Sequence, residues 1–274
     1  DATVIPSEHF NTVLYTGNAT ARNIDVGFQS DFTWIKARSL AYSHRLVDSV
    51  RGAGGPALES NNSNAEITES TGVTAFNSSG FSLGTAGGYN ENNGTFVAWN
   101  WKLGGSASTN TSGSIDSSVL ANTAAGFSIA SFTCPSGSGL YTVGHGLGAV
   151  PEFMIVKGRS ATGNWHIYHI DVGNAKAYFL NNSTAGFTSS YWGNTTPTST
   201  VFTQTIGGTL DSGTTAIGYF FNSVDGYSLV GSYVGNGSTD GVYVHCGFSP
   251  AVIITKSFAA TGWRTIDNKR TPYN

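Results

Sequence analysis

The sequence predicts an all-β protein, a tandem array of β-sandwiches of jelly-roll type whose third repeat is incomplete. Three observations carry this. The stretch Gly27-Phe28-Gln29-Ser30-Asp31-Phe32-Thr33-Trp34-Ile35-Lys36 returns at 247–256 as Gly-Phe-Ser-Pro-Ala-Val-Ile-Ile-Thr-Lys, and with two extra residues at 146–157. The copies stand about a hundred residues apart, a period that marks a duplicated building block. Short β-branched and aromatic runs alternate with clusters of Gly, Asn, Ser and Asp, and no segment keeps a helical period. The chain also holds 36 Gly and only 11% charged residues, against about 25% in an ordinary globular chain. With 39% hydrophobic residues it has ample apolar surface to bury, so this is turn-rich β structure and not disorder.

The elements follow in order. Residues 1–9 are a lead-in. Repeat one covers 10–103 and opens on the aromatic stretch Phe10 to Tyr15. Its last strand is Thr95–Trp101, where a period of two places Val97, Trp99 and Trp101 on one face. Residues 104–114 form a Gly/Ser/Thr linker without an aromatic or a charge. Repeat two covers 115–225, opens at Phe127 to Phe132 and closes on the matching strand Thr215–Phe221. The partial third repeat, 226–274, holds strand-like runs at 227–233, 242–244, 251–256 and 263–267, and no counterpart of that closing strand. An uncovered edge is a pairing hazard. The expectation is completion from outside, by a continuation of the chain or by a neighbouring subunit's strand. Position 1 is Asp, so the expected chain is processed, a fragment or part of something larger.

A net charge of −3 supplies no electrostatic footprint for nucleic acid. No run of about eighteen apolar residues offers a membrane span. Cys134 and Cys246 stand at non-equivalent places in different repeats and read as free, buried thiols.

Each chemical motif in the chain also has a structural reading. Gly80-Phe81-Ser82-Leu83-Gly84 fits G-x-S-x-G, but a nucleophile elbow needs a helix after it, and Thr85-Ala86-Gly87-Gly88 reads as a loop. His166, His169 and Asp171 could hold a metal only with His169 and Asp171 sharing a strand face and His166 opposite. The oxygen-rich loops Asn61, Asn62, Asn64, Glu66 and Asn90, Glu91, Asn92, Asn93 make calcium the one cofactor worth naming, yet both lack the D-x-D-x-D-G pattern. Glu66 and Glu69 are the only acidic pair at suitable spacing for glycoside hydrolysis, and they lie in a polar loop. Gly144-His145-Gly146-Leu147-Gly148 has no helix after it to bind phosphate. Lys36-Ala37-Arg38 and Lys157-Gly158-Arg159 read as solvated strand ends, with Lys256 the third copy. Trp34, Trp99 and Trp101 are expected in sandwich cores or subunit contacts. Trp192, between Tyr191 and Asn194 in a Gly/Asn loop, is the expected exposed platform for a sugar ring.

The runs V-L-Y-T-G-N (13–18), G-F-Q-S-D-F-T-W-I-K (27–36), D-S-V-R-G-A (48–53), G-F-S-L-G (80–84) and V-A-W-N-W-K (97–102) together resemble a repeated domain of marine bacteriophage structural proteins, especially those of cyanophages and pelagiphages. The second unit's V-G-H-G-L-G-x-x-P-E-F-M-I-V-K and W-H-I-Y-H look like its partner repeat. The third unit's Y-V-G-N-G-S-T-D-G-V-Y-V-H-C-G-F-S-P-A looks like the next, and R-T-P-Y-N (270–274) resembles a mid-domain stretch. The resemblance implies concanavalin-A-like or jelly-roll sandwiches in a virion, as a tail, fibre or capsid decoration protein, and brings no catalytic residue with it. The expected function is therefore non-enzymatic and structural. Expected partners are copies of itself and other virion proteins, at a virion or extracellular location. The alternative is an adhesin for host surface polysaccharide, with Tyr191, Trp192 and Asn194 as contacts; a glycan-degrading enzyme ranks last.

Overall fold

The computed structural model describes residues 4–207 and 210–270. Strands take up 39% of the chain and helix 3%, arranged in several antiparallel sheets, so the fold is all-β. The first segment holds β1 (Phe10–Thr16), β2 (Arg22–Asp25), β3 (Phe32–Ala37), β4 (Arg45–Asp48) and β5 (Pro56–Ala57). It continues with β6 (Ile67–Thr68), β7 (Val73–Asn77), β8 (Gly80–Leu83), a single helical turn α1 (Gly87–Asn90) and β9 (Thr95–Trp101). The second holds β10 (Ser108–Asn110), β11 (Ser117–Asn122), β12 (Phe127–Thr133), β13 (Gly139–Gly144) and β14 (Phe153–Gly158). Next come β15 (His166–His169), β16 (Lys176–Phe179), β17 (Phe187–Thr188), β18 (Val201–Ile206) and β19 (Thr215–Phe221). The third contributes the hairpin β20 (Val252–Thr255) and β21 (Arg264–Asp267).

In the first segment the sheet β1-β9-β3-β4 packs on the sheet β2-β8-β7. Alternation along β9 explains the layering. Phe96 and Ala98 point into the space between those sheets, with Tyr15, Ile35 and Phe81. Val97, Trp99 and Trp101 point the other way. The second segment is built alike: β11-β12-β19-β14-β15, extended at both edges, packs on β13-β18. Ala216 and Phe220 face Met154 and Phe202 inside, while Ile217 and Tyr219 face out.

The two outward faces meet. Trp34, Val97, Trp99 and Trp101 of the first segment share one apolar cluster with Ile155, Trp165, Ile167 and Tyr219 of the second, and Val252, Ile254 and Trp263 of the third pack against it. The larger sheets are thus buried on both faces, which is why β3 and β9 read as nearly unbroken apolar runs. Burying each large apolar side chain there contributes about 1.5–3 kcal/mol.

Some expectations change. The stretch 104–114 is not all linker, because Ser108–Asn110 pairs with β11 at a sheet edge. The runs at 227–233 and 242–244 form no strands. A strand needs a neighbour to take up its N–H and C=O groups; among the described residues the first run makes only an isolated bridge, Ser228 to Val224, and the second pairs with no strand.

Candidate functional site at the junction of the segments

Asp48 ends β4, and its carboxylate shapes the turn that follows. Oδ1 accepts the Arg51 N–H (2.9 Å), Oδ2 accepts Arg51 Nε (2.6 Å), and Gly52 takes the left-handed conformation that closes the turn. Both side chains of this ion pair are fully buried. Such a pair survives only when its remaining donors and acceptors are satisfied. Arg51 also donates to the Leu46 carbonyl (2.8 Å) and to Glu66 (3.0 Å). Across the junction the Tyr219 hydroxyl donates to Asp48 Oδ2 (2.9 Å). Burial alone would lower the Arg51 guanidinium, but Asp48, Tyr219 and Glu66 outweigh it and hold the group charged, above its ordinary value.

Glu66 ties the same corner to the second segment. Arg159 grips it with Nε at 2.9 Å and Nη2 at 2.8 Å, the forked geometry that makes guanidinium–carboxylate pairs strong. Burial pushes the Glu66 carboxyl up, yet the hydrogen bond from Arg159 and the charge of Arg51 bring it below the usual range. Nearby, the Trp165 indole donates to the Glu59 carbonyl (3.0 Å).

The same geometry appears between the third segment and the other two. Asp267 ends β21; its Oδ1 accepts the Arg270 N–H (2.8 Å) and its Oδ2 accepts Arg270 Nε (2.5 Å). Arg270 Nη2 donates to the Thr265 carbonyl (2.6 Å), five residues back, as Arg51 does to Leu46. The Trp99 indole then donates to Asp267 Oδ2 (3.1 Å), with the Arg270 guanidinium 4.9 Å from the centre of its ring. Trp99 and Tyr219 hold the same place, fifth in β9 and fifth in β19. Trp263 donates to the Phe179 carbonyl (2.9 Å), as Trp165 does to Glu59.

The three segments enclose a cleft of about 310 Å³ lined by Trp34, His44, Asn61, Asn181, Asn182 and Trp263, among others. Trp34 Nε1 donates to His44 Nδ1 (2.8 Å). Burial, with the charges of Lys36 and Arg270 nearby, pushes His44 down to about 4, so the ring is neutral at pH 7.

A family model described as a domain of unknown function, DUF7483, matches residues 5–274 and so runs through all three segments. The chain belongs to DUF7483. No curated protein and no solved structure matches it.

In this DUF7483 chain the expected sugar platform is not at the surface. Trp192 is 0% exposed and packs edge-on against Tyr168 inside the second sandwich. Gly193 and Asn194, at φ +58° and +51°, form the turn that follows it, closed by the Thr195 N–H on the Trp192 carbonyl (3.0 Å). Tyr191 is half-buried and stacks on His166 at 3.8 Å, leaving only Asn194 exposed. The Lys expectation also fails. Lys157 is 0% exposed and donates to the carbonyls of Gly158 (2.6 Å) and Ala161 (3.3 Å); Lys36 and Lys256 likewise bind carbonyls of the loops that follow them. This recurrent lysine ties a loop to a strand end. Burial pushes Lys157 down to about 8.

The remaining candidates are dispersed. His166 is buried and pushed by burial down to about 3, while His169 accepts the Asp171 N–H; no group of three or more His, Cys, Asp or Glu among the described residues is placed to hold a metal. In the 61–66 loop Asn61 binds the His44 N–H, Asn62 and Asn64 bind Glu59, and Glu66 binds two arginines. Glu69 pairs with Arg45. Ser82 lies within β8 and bonds Asn23 (2.7 Å) and Asn77 (3.2 Å), and the residues after it make one helical turn, α1, where a loop was expected. Cys134 is free and buried as expected; Cys246 is free but partly exposed. Among the described residues no helix is long and apolar enough to cross a membrane. The Asp48/Arg51 and Asp267/Arg270 clamps were missed by sequence reasoning, although Asp-x-x-Arg at two matching places was a visible signal.

Proposed function

We propose that this chain is a non-enzymatic structural component of a phage particle, a tail, fibre or capsid decoration protein. It is built from tandem β-sandwich units of jelly-roll or concanavalin-A-like type, the third incomplete. The observation that carries the reading is the doubled clamp: Asp48 with Arg51 on Tyr219, and Asp267 with Arg270 on Trp99. Buried charges are spent on joining one segment to the next, which is what a part that must keep its shape within an assembly requires. The motifs at 27–36, 48–53 and 97–102 supply the particle assignment through their resemblance to marine phage structural proteins. The test is mass spectrometry of purified particles from a lysate that expresses the chain. Its peptides are expected at a copy number typical of a structural part. Peptides abundant in the soluble lysate and absent from particles would refute the reading.

One observation favours the adhesin reading beside it. The junction cleft brings Trp34 and Trp263 together with Asn61, Asn181 and Asn182, an indole-and-amide lining of the kind that orients sugar rings. Trp263→Ala should then weaken retention on host polysaccharide. Equal retention of parent and variant would remove the cleft from consideration.

A further inference from the structure

We infer that the junction cleft takes one uncharged sugar residue carrying an acetamido group, whose amide carbonyl accepts the His44 Nε2–H. The inference rests on the adhesin reading of this cleft and names the class of sugar.

The polar groups of the cleft are mostly donors. An indole N–H can only donate, so the bond from Trp34 Nε1 (2.8 Å) makes His44 Nδ1 the acceptor and places the proton of the neutral ring on Nε2. Among the described residues none accepts this second N–H, and it is not sealed away inside the chain. The three asparagines are oriented in the same sense. The amide oxygen of Asn61 accepts the His44 backbone N–H (2.8 Å), that of Asn181 the Trp165 N–H (3.0 Å) and that of Asn182 the Thr184 N–H (2.9 Å). A backbone N–H can only donate, so these bonds fix each amide and leave its NH2 group with protons to give. The group that best answers such a lining is an amide carbonyl, which accepts two bonds and donates none.

The lining also carries no charge: among the described residues no Asp, Glu, Lys or Arg lines the cleft. The two cations that act on His44 are otherwise engaged. Lys36 Nζ donates to the carbonyls of Ala37 (2.8 Å) and Tyr42 (2.7 Å), and Arg270 is paired with Asp267 (2.5 Å). An ionised ligand would lose its hydration with no counter-charge to replace it, which disfavours carboxylated and sulfated sugars.

Leu180, Ile254 and Trp263 supply the apolar part of the lining. The Trp263 ring is held by its bond to the Phe179 carbonyl (2.9 Å). It is therefore a pre-set surface for the C–H face of a sugar and for the acetamido methyl. At about 310 Å³ the cleft lies at the small end of ligand sites, about 300–1,000 Å³, which suits one residue. A peptide offers the same carbonyl, but an extended chain advances about 3.3 Å per residue and needs an open groove rather than a cleft enclosed by three segments.

The test titrates the isotope-labelled whole chain with methyl glycosides of N-acetylglucosamine, N-acetylgalactosamine, glucose, galactose and glucuronic acid, and with N-acetylalanine methylamide, a peptide unit without a sugar ring. The ring nitrogen signals of His44 and Trp263 report binding at the cleft. Both should shift saturably with at least one acetamido glycoside, and bind its plain counterpart about tenfold more weakly, the difference made by one hydrogen bond. His44→Phe should level the two; if that variant does not fold, the contrast among glycosides in the parent chain decides alone. Equal affinity for acetamido and plain glycosides overturns the acetamido assignment and leaves the adhesin reading standing. Tighter binding of the glucuronide overturns the uncharged class. Binding of the methylamide as tight as that of the sugars makes a peptide the occupant and overturns the sugar. No shift with any sugar overturns this inference and the cleft's adhesin reading together.

Discussion

The Tyr219 hydroxyl lies 2.9 Å from Asp48 Oδ2, joining positions 171 residues apart. Asp48 also neutralises Arg51, so the acceptor is a charge already fixed in place. Tyr219→Phe is expected to cost about 1.5–3 kcal/mol, the range for a hydrogen bond to a charged group. Asp48→Asn leaves Arg51 with Glu66 as its only carboxylate and should cost about 3–5 kcal/mol, as for a broken buried pair. Urea unfolding of both single variants and the double variant gives the cycle. Strict additivity would mean that the two side chains are not coupled.

Trp99 makes the corresponding contact to the third segment, and the consequence there is local. Trp99→Phe keeps a ring beneath Arg270 and removes the N–H that Asp267 accepts. The β20–β21 hairpin should open more often while the sandwiches stay folded. Trypsin should cut after Lys256 and Arg264 several-fold faster than in the parent. An unchanged cutting rate would show that the indole hydrogen bond does not hold the hairpin.

Lys157 gives a pH dependence with a definite sign. Burial holds it near 8 in the folded chain, against 10.5 ordinarily. Between those values the unfolded chain binds more protons than the folded one, so stability rises with pH there and is lost again as pH falls through about 8. Lys36 and Lys256 are lowered by burial too and act in the same direction. Buried tyrosines such as Tyr15 and Tyr227 are raised by burial and oppose this above pH 10. Urea midpoints at about pH 7.5 and 9.5 should therefore increase in the parent, and increase less in Lys157→Met. At pH 7 that variant should also lose about 1–3 kcal/mol, because the Gly158 and Ala161 carbonyls lose their donor. A midpoint that falls between the two pH values in the parent would contradict the buried, charge-disfavouring site.

How far the sequence could be read depended on whether a residue's role was local. Thr95–Trp101 and Thr215–Phe221 are strands to the residue, and the face of Val97, Trp99 and Trp101 follows from alternation alone. What that face packs against is not local: its partners, Tyr219, Trp165 and Trp263, lie in other segments. The runs at 227–233 and 242–244 have strand composition, but strand formation is a property of pairs. Trp192 was misjudged because Gly and Asn neighbours suggest an exposed loop, whereas the turn made by left-handed Gly193 and Asn194 lies over a core in which the indole packs on Tyr168. Lys157 was misjudged because lysine is rarely fully buried, and the carbonyls that satisfy it belong to a loop whose path composition does not reveal.

Gly80-Phe81-Ser82-Leu83-Gly84 permits a decisive contrast between chemistry and packing. An alanine Cβ at Gly80 would stand 2.0 Å from the Ile24 carbonyl oxygen, and one at Gly84 would stand 2.5 Å from that of Thr71. Both obstacles are backbone, so neither can swing aside. These glycines let β8 pair closely with β2 and let the chain at Gly84 pass the Thr71 turn. Gly80→Ala and Gly84→Ala are each expected to cost more than the 1–3 kcal/mol of ordinary overpacking. Ser82, by contrast, is only half-buried and bonds two asparagine side chains, so Ser82→Ala should cost about 0.5–1.5 kcal/mol. Thermal unfolding of the three variants separates the roles. If Ser82→Ala proved as damaging as the glycine substitutions, the serine and not the close backbone approach would account for the motif.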